Sequence, residues 1–279
     1  MKNIINTIKK NFAAIRLLRF VFLKALKLFS CDIKIKNPYT CDELIVNIYR
    51  HKTYWFYGKS RERETMEMFA NVIKKNDVVF EIGGHIGFIT QHFSKLVGNT
   101  GVVIVFEPGK NNIPYIEKNI FGKLNVFLEK VAVSNQVGEA LFYEDNISGQ
   151  NNSLLPDYKG AVDVAKTHFE RLRKEQHVVS ITTIDQYIKT TGSKCDYIKI
   201  DIEGNELKAL QGAKNALRLA RGIMIEVTEN QSKVSQLLLE AGFALETESG
   251  VELNSIPSGF HGNVFGRKRT PVHMVPKVC

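Results

Sequence analysis

The sequence predicts an α/β protein built around a mostly parallel β-sheet that helices cover on both faces. Short runs that are apolar at nearly every position alternate with segments of helical periodicity. Such continuous apolar runs are typical of strands buried on both faces, as in sheets built from strand-helix-strand units. With 279 residues, of which 44% are hydrophobic and 24% charged, the chain is long enough for one large α/β domain and an appendage.

The individual elements can be located from these patterns. The expected strands are 78–82, 102–106, 126–133, 178–182, 196–202, 222–227 and 262–266, and the expected helices are 86–97, 111–121, 204–219 and 230–241. Residues 139–144 predict an added strand. The polar connection 145–176, which ends in a short charged helix, has a length typical of a functional or mobile loop.

Residues 1–30 predict a cationic amphipathic helix. They carry seven Lys or Arg and no acidic residue, and the charges lie on a helical wheel opposite Ile8, Ile15 and Phe22. The charges recur too often for the apolar run of about 20 residues that a transmembrane helix needs, and no signal-peptide cleavage site follows. Two interpretations stay open: an in-plane anchor on an anionic membrane face, or an accessory helix packed on protein.

The net charge of +9 is confined to the two ends of the chain. Residues 253–279 carry four Lys or Arg and no acid, so residues 31–252 hold 27 basic against 29 acidic residues. This slightly acidic body disfavours a nucleic-acid footprint on the main domain. The four cysteines show no CxxC spacing, which favours free thiols in a reducing, cytoplasmic compartment over disulfides or a zinc site.

The run V-V-F-E-I-G-G-H-I-G at 78–87 joins the first strand of the predicted sheet to its first helix. In open parallel sheets, ligands bind at the carboxyl ends of the strands, beside helix N-termini. We expect Gly83, Gly84 and Gly87 to let a ligand approach the bare backbone there. The spacing E-x-G-x-x-x-G is not the dinucleotide fingerprint G-x-G-x-x-G, because His85 occupies the second glycine position of that fingerprint.

Two carboxylates predict which cofactor binds at this turn. Glu81 precedes the first glycine, where its charge would repel a pyrophosphate but suits the ammonium and sulfonium of S-adenosylmethionine. Glu107 follows the second strand, twenty residues beyond Gly87, where a carboxylate accepts hydrogen bonds from both ribose hydroxyls. Together they predict a site for S-adenosylmethionine.

A second charged motif, Y-I-K-I-D-I-E-G at 197–204, belongs to a strand expected in mid-sheet. Alternation places Lys199, Asp201 and Glu203 on one side of it. Because burial of three charges is costly, we expect the two carboxylates to face the crevice where the ligand lies. The alternative is that Lys199 pairs with one acid while Glu203 stabilises the N-terminus of the following helix.

The ordered set of motifs resembles the FkbM family of S-adenosylmethionine-dependent methyltransferases over roughly residues 60–267. The motifs are D-V-V-F-E-I-G-G-H-I-G-F-I-T, V-F-E-P, A-V-S-N, N-S-L-L, T-T-I-D, Y-I-K-I-D-I-E-G-N-E-L-K-A-L-Q-G-A and M-I-E-V. The resemblance implies a Rossmann-like class I methyltransferase fold with a seven-stranded, mostly parallel sheet. The last pair of strands, 243–248 and 262–266, is then antiparallel. The resemblance also implies methylation of a hydroxyl on a sugar, glycolipid or polyketide.

The resemblance further implies which residues hold the cofactor, from its methionine end to its adenine. These residues are Glu81, Gly83, Gly84, His85, Gly87, Glu107 and Ala132. The sequence departs from the family at G-G-H, where the family more often has G-A-N. We interpret His85 as a residue that orders the loop rather than as the catalytic base.

The predicted reaction transfers a methyl group to an alcohol, whose proton must leave as the new bond forms. Asp201 and Glu203 are the predicted catalytic residues, and His85, His168 and His261 are secondary candidates for the proton acceptor. The histidines show no paired ligand spacing, so no metal site is predicted. Asp201 and Glu203 with water molecules could nevertheless hold a divalent cation.

The chain therefore divides into a basic amphipathic helix (1–30), an accessory region (31–60), a methyltransferase domain (61–267) and a basic tail (268–279). The predicted function is O-methylation of a saccharide or lipid-linked saccharide in the cytoplasm, with peripheral contact to the inner membrane face. Two alternatives stay open: a nucleic-acid methyltransferase, which the absence of an N/D-P-P-Y/F motif disfavours, and a binding module without catalysis. The aromatic run at 54–57 is expected in core or dimer packing rather than against a sugar ring.

Overall fold

The computed structural model describes residues 2–156 and 171–268, with side chains from Ile15 onward. In chain order the elements are α1 (Lys2–Leu28), β1 (Asp32–Lys36), β2 (Glu43–Asn47), α2 (Lys52–Tyr57), a 3₁₀ turn (Gly58–Ser60), α3 (Arg63–Val72), β3 (Val78–Ile82), α4 (Phe88–Val97), β4 (Val102–Phe106), α5 (Ile113–Ile120), β5 (Val126–Glu129), β6 (Ala132–Val133), β7 (Gly138–Asp145), β8 (Lys174–Thr182), α6 (Ile184–Thr191), β9 (Tyr197–Ile200), α7 (Glu206–Gln211), α8 (Lys214–Leu219), β10 (Gly222–Val227), α9 (Gln231–Glu240), β11 (Phe243–Thr247), β12 (Glu252–Leu253) and β13 (Gly262–Lys268).

The large sheet has the strand order β12-β11-β13-β10-β9-β3-β4-β5. The five strands from β10 to β5 are parallel, whereas β13 runs antiparallel between β10 and β11. Seven strands thus have the predicted arrangement, including the antiparallel last pair, and the Rossmann-like α/β fold is confirmed. The eighth strand, β12, is a two-residue edge strand that was not predicted.

Two of the expected strands lie elsewhere than predicted. The expected strand 126–133 divides into β5 in the large sheet and β6 in a separate three-stranded sheet of order β6-β8-β7. The expected strand 178–182 is part of β8 in that smaller sheet. In β8 only Val179 and Ile181 are buried, on alternate positions, so the strand has one solvent-facing side and suits antiparallel pairing with β7.

The predicted helices agree with the structure except in one place. The expected helix 204–219 divides at Gly212 into α7 and α8. A Cβ atom at Gly212 would lie 2.3 Å from the carbonyl oxygen of Ser134, so the backbone passes too close to its neighbour for a larger residue. The charged helix predicted within 145–176, and the tail beyond 268, fall on residues 157–170 and 269–279, outside the described residues.

Apolar side chains fill both faces of the large sheet, as the continuous apolar strands predicted. Neighbouring positions on one strand point to opposite faces. Phe80 therefore packs in a cluster with Ile198 and Leu210, whereas Val79 packs with Phe93 on the other face. The polar crevice described below lies at the carboxyl ends of the same strands.

Buried amide side chains join the accessory β1–β2 hairpin to the large sheet. The Asn119 side chain accepts a hydrogen bond from the Ile45 N–H (2.6 Å) and donates to the carbonyl oxygens of Ile45 (3.0 Å) and Ile86 (2.8 Å). Asn37 donates in the same way to Phe88 at the start of α4 (3.1 Å). The accessory region is therefore held against the turn that follows β3.

Candidate active site

The turn between β3 and α4 is shaped by contacts with its neighbours in the protein. Gly83 has a φ of +91°, and a Cβ there would lie 2.0 Å from the carbonyl oxygen of Asp201. A Cβ at Gly84 would lie 2.3 Å from Cγ2 of Val105. These glycines therefore let the turn pack against the end of β9 and against β4. Gly87, with a φ of +85°, stands at the N-terminus of α4.

A cavity of about 330 Å³ opens at the carboxyl ends of the parallel strands. Eight of the nine predicted site residues line it, and Gly87 is the exception. The eight are Glu81, Gly83, Gly84, His85, Glu107, Ala132, Asp201 and Glu203. Folding thus brings together residues that are up to 122 positions apart in the sequence.

Glu81 is buried in the floor of this cavity, with 1% of its surface exposed. Its Oε2 accepts a hydrogen bond from the Thr90 hydroxyl (2.6 Å), whereas Oε1 has no partner among the described residues. Burial raises the pKa of Glu81 to about 7. A buried acceptor without a donor fits a cationic ligand group such as the predicted ammonium.

Glu107 has a different environment, because its carboxylate already holds the turn. Oε2 accepts from the His85 N–H (2.7 Å), and Oε1 accepts from the Gly109 N–H (2.8 Å) and the Asn112 side chain (3.2 Å). Burial nevertheless raises its pKa to about 7. A carboxylate offers about four acceptor positions, so one remains for a ribose hydroxyl.

His85 connects the turn to two other segments. Its Nδ1 lies 2.7 Å from the Tyr54 hydroxyl, and its Nε2 lies 3.2 Å from the carbonyl oxygen of Ser148. Because a carbonyl can only accept, Nε2 carries the proton and Nδ1 accepts from Tyr54. Burial lowers the pKa of His85 to about 4, so the ring is neutral with both nitrogens occupied. This geometry suits loop ordering better than proton transfer.

The two remaining histidine candidates lie away from the cavity. His261 is exposed, directly before β13, and does not line it. His168 falls outside the described residues. Of these candidates, His85 is therefore the one that lines the cavity within the described ranges.

Lys199, which is buried, and Asp201, which is partly exposed, form an ion pair at the end of β9. Lys199 is 2% exposed, and its Nζ lies 3.1 Å from Oδ2 of Asp201 and 3.1 Å from the carbonyl oxygen of Gly83. Burial alone would lower the pKa of Lys199, but the carboxylates of Asp201 and Glu81 raise it, so the ammonium stays charged. Lys199 therefore pairs with one acid, as the alternative interpretation of the motif supposed, and that acid is Asp201.

The turn between β9 and α7 is ordered by Glu206, the first residue of α7. Glu206 accepts hydrogen bonds from the N–H groups of Ile202 (3.2 Å) and Gly204 (2.9 Å). Glu203 has a φ of +57°, and its carbonyl oxygen accepts from the Ser153 hydroxyl (2.7 Å). The Glu203 side chain lines the cavity, as expected of a residue that faces the ligand.

Glu226, at the end of β10, is a third acid of the site that sequence reasoning did not assign. Carboxylate oxygens of Asp201, Glu203 and Glu226 lie within 4.8 Å of one another, a spacing that could also hold a divalent cation. The charge of Asp201, followed by burial, raises the pKa of Glu226 to about 8. The sequence feature that could have indicated Glu226 is the M-I-E-V motif. Its glutamate lies beside Asp201 only because β10 pairs with β9.

The sequence comparison decides the family. The model described as the methyltransferase FkbM domain matches residues 81–245, which is more than half of the chain. The chain belongs to the FkbM methyltransferase family. It is also 22% identical, over 82% of its length and 96% of the relative's, to 2-O-methyltransferase NoeI of Sinorhizobium fredii. The protein is therefore a methyltransferase.

Solved structures give weaker similarities. The FkbM methyltransferase of Methylobacillus flagellatus is 14% identical with a TM-score of 0.43, and the match covers 73% of this chain but only 47% of that one. This chain thus matches less than half the length of that protein. Fibrillarin of Aeropyrum pernix, solved with S-adenosyl-L-methionine, is 10% identical with a TM-score of 0.43, covering 84% of this chain and 88% of that one.

The accessory region of this FkbM methyltransferase also contributes to the cavity. Tyr54 is buried and lines it, whereas Phe56 and Tyr57 of the same aromatic run are exposed. The Arg61 guanidinium lies 4.1 Å from the centre of the Tyr54 ring. No motif in the sequence marks either residue, because their position depends on how the accessory region packs against the turn.

The cavity wall presents several buried polar atoms that lack a hydrogen-bond partner within the described ranges. They are Arg61 Nε, Glu81 Oε1, Asn112 Oδ1, Gln150 Nε2, Asn205 Oδ1 and Glu226 Oε2. Because buried polar groups in folded proteins are normally paired, this wall fits a polar ligand. It offers an anion, a cation and neutral amides, as an amino acid joined to a nucleoside would require.

Proposed function

We propose that this FkbM methyltransferase uses S-adenosylmethionine to methylate a hydroxyl of a saccharide or lipid-linked saccharide. The observation that carries the proposal is that one cavity contains both the unpaired Glu81 oxygen and the cluster of Asp201, Glu203 and Glu226. The first suits the cofactor's ammonium, and the second suits an alcohol that must lose a proton. The name of the Sinorhizobium relative, a 2-O-methyltransferase, supports oxygen as the acceptor atom.

The protein's tasks in this reaction are alignment and proton removal. When bound, S-adenosylmethionine supplies an electrophilic methyl group. Glu81 and Glu107 would hold the cofactor's ammonium and ribose, and the buried Ala132 lines the cavity where the adenine is expected. Alignment of two bound reactants can lower a barrier by about 7–11 kcal/mol, so positioning is the larger contribution.

Proton removal falls to the carboxylate cluster. Since the pKa of Glu226 is raised to about 8, Glu226 holds its own proton at neutral pH. The Lys199 ammonium lies 3.1 Å from the Asp201 carboxylate, and Glu203 lines the same cavity. We therefore assign proton acceptance to Asp201 or Glu203. A general base contributes about 10²–10⁴-fold in rate.

Calorimetry with S-adenosylmethionine and S-adenosylhomocysteine tests the cofactor assignment on the full chain. Saturable binding of both is expected. If the well-folded protein binds neither, the proposed function is wrong. A labelled-methyl assay against saccharide and glycolipid fractions, with mass spectrometry of the product, then tests the acceptor.

Variants of the acids test the mechanism. Asp201→Asn and Glu203→Gln should bind S-adenosylhomocysteine within about threefold of wild type, yet at least one should lose about 10²–10⁴-fold in transfer rate. Glu229→Gln, at an exposed acid beyond β10, is the matched control and should transfer at the normal rate. Full rates in both site variants would place the proton acceptor elsewhere.

We further propose that α1 places the enzyme on an anionic membrane face. Among its described side chains only Leu23 is buried and Leu26 half-buried. Leu18 and Phe22 are 69% and 49% exposed, on the face opposite Arg16 and Lys27. An exposed apolar face with cations opposite suits in-plane binding to anionic lipid. Within the described chain, no helix has the length and apolar run of a membrane span.

Vesicle flotation tests this placement. The full chain should float with vesicles that contain an anionic phospholipid and should float poorly with phosphatidylcholine alone. Phe22→Asp, which adds a charge to the apolar face, should lose most of the flotation. Unchanged flotation after removal of residues 1–30 would contradict the proposal, and salt-sensitive binding to nucleic acid instead would favour a different partner.

A further inference from the structure

Arg61 is a cation in the cavity wall that the mechanism above leaves without a role. It follows the turn Gly58–Ser60 and precedes α3, and its side chain is only 18% exposed. Among the described residues, Arg61 and Lys199 are the two Lys or Arg side chains that line the cavity. A buried guanidinium needs acceptors, because loss of hydration is costly for a charge.

The acceptors present in the protein occupy only part of the guanidinium. Nη1 donates to the Thr53 hydroxyl (3.0 Å), and Nη2 donates to the Tyr54 hydroxyl (3.4 Å). The carboxylate of Glu62, which also lines the cavity, forms an ion pair with Nη2 at 3.6 Å but lies beyond hydrogen-bond distance. Nε is buried and has no acceptor in the described part of the chain. The edge formed by Nε and Nη2 is thus available for a two-pronged contact with a carboxylate.

The surroundings hold this guanidinium in a fixed orientation beside the cofactor turn. It stacks on the Tyr54 ring at 4.1 Å, and the Tyr54 hydroxyl lies 2.7 Å from Nδ1 of His85 in the turn. Burial lowers the pKa of His85, the Ser148 hydrogen bond opposes this, and the Arg61 charge adds to the lowering. Burial opposes the raised pKa of Arg61, to which Tyr54, Glu62 and, least, Asp201 contribute. Arg61 is therefore close both to the turn and to the end of β9.

The methionyl end of S-adenosylmethionine carries a carboxylate as well as an ammonium. The unpaired oxygen of Glu81 can accept from the ammonium, but the carboxylate needs a cationic partner. Lys199 is already engaged by Asp201 and by the carbonyl oxygen of Gly83. Arg61, in contrast, has a buried Nε–H with no acceptor in the described part of the chain.

We propose that Arg61 binds the cofactor's carboxylate through Nε and Nη2. The assignment rests on the proposed use of S-adenosylmethionine and adds to the cofactor site a residue that directly follows the accessory region. It gives Glu81 and Arg61 complementary roles: one holds the ammonium and the other holds the carboxylate. The enzyme would then distinguish its cofactor from adenosyl thioethers that lack the amino-acid carboxylate.

The test compares two ligands that differ only in this group. S-adenosylhomocysteine has the carboxylate, and 5′-deoxy-5′-(3-aminopropylthio)adenosine keeps the ammonium but lacks the carboxylate. Calorimetry is performed on the full chain as wild type, Arg61→Met and Arg61→Lys. A hydrogen-bonded contact between charged groups increases affinity by about 10- to 100-fold. The wild-type protein should therefore bind S-adenosylhomocysteine more tightly than the amine analogue by that factor.

Arg61→Met should lose about 10- to 100-fold for S-adenosylhomocysteine and keep its affinity for the amine analogue within about threefold. Arg61→Lys should recover part of the preference, since it restores the charge without the planar fork. Arg63→Met removes an exposed cation two residues away and is the matched control, with no expected change. Unaltered binding of the analogue also shows that each variant is folded.

The outcomes separate this inference from the function on which it rests. If wild type binds S-adenosylhomocysteine but shows no preference over the analogue, or if Arg61→Met weakens both ligands equally, Arg61 does not bind the carboxylate. If Arg61→Met binds S-adenosylhomocysteine normally but loses transfer, the residue serves the acceptor and the inference is wrong. If wild type binds neither ligand, the proposed function itself fails.

Discussion

Replacement of Glu81 by Gln gives the most direct test of how the cofactor site is charged. The variant has nearly the same shape and can keep the Thr90 hydrogen bond that Oε2 accepts at 2.6 Å. It removes the negative charge and turns the unpaired position into an amide. A charge-assisted hydrogen bond to the ammonium contributes about 1.5–3 kcal/mol, so the affinity for S-adenosylhomocysteine should fall about 10- to 150-fold.

The pH dependence follows from the same residue. Burial raises the pKa of Glu81 to about 7, and only the ionised carboxylate can neutralise an ammonium. Wild-type affinity should therefore increase about tenfold between pH 6 and pH 8 as Glu81 loses its proton, whereas Glu81→Gln should show a flatter profile. Glu107 also titrates near pH 7, so the difference between the two profiles is the quantity to measure.

Unfolding of the cofactor-free protein supplies an independent measurement. A carboxyl whose folded pKa lies above its unfolded value stabilises the protein below the unfolded pKa, and this contribution is lost as pH rises through the folded pKa. From 4.5 to about 7, the loss is on the order of 3 kcal/mol. Urea unfolding should show Glu81→Gln gaining on wild type between pH 5 and pH 8. Equal affinities and parallel pH profiles would refute this account of Glu81.

Three further substitutions test the packing around the site by thermal unfolding. Gly84→Ala places a Cβ 2.3 Å from Val105 and should destabilise by about 1–3 kcal/mol; a neutral effect would mean that the turn can move away from β4. Asn119→Leu leaves the N–H and carbonyl of Ile45 unpaired and should cost about 2–4 kcal/mol, with faster amide exchange in β2; slow exchange there would contradict the linking role. Asp185→Ala removes the acceptor for two N–H groups at the start of α8 and should cost about 0.5–2 kcal/mol, whereas wild-type stability would show that water replaces it.

The strands of the large sheet could be predicted because burial on both faces leaves a continuous apolar run. Phe80 and Val79 serve opposite faces, so neither position tolerates a charge. The same rule explains why the expected strand 178–182 was assigned to the wrong sheet. Buried and exposed residues alternate around Val179, so one face of β8 is exposed to solvent, and β8 pairs with β7 in a separate sheet. The sequence predicted that 178–182 is a strand. To assign it to the correct sheet, the alternation of buried and exposed residues would have had to count for more than its apolar content.

The candidate site could be predicted only where the chemistry is local in sequence. Glu81 and the glycines share one turn, so their spacing alone indicates a ligand site. Glu226 joins Asp201 only through the pairing of β10 with β9. Arg61 directly follows the accessory region and joins them through the packing of that region, which no short motif records. Ligand approach is not the only reason for glycine in this turn. A Cβ at Gly83 would overlap the carbonyl oxygen of Asp201, so the packing of the protein itself requires glycine there.

The departure from the family pattern at His85 is explained by the same accessory region. An asparagine could also adopt the left-handed φ of +48° found here, so backbone conformation alone does not require histidine. The longer histidine side chain contacts two other segments: Nδ1 contacts the Tyr54 hydroxyl and Nε2 contacts the carbonyl oxygen of Ser148. Because Tyr54 in turn supports the Arg61 guanidinium, the His85 ring couples the cofactor turn to the residue that we assign to the cofactor's carboxylate. On this argument His85 acts as a positioning residue, and its effect on the reaction passes through Tyr54 and Arg61 rather than through proton transfer.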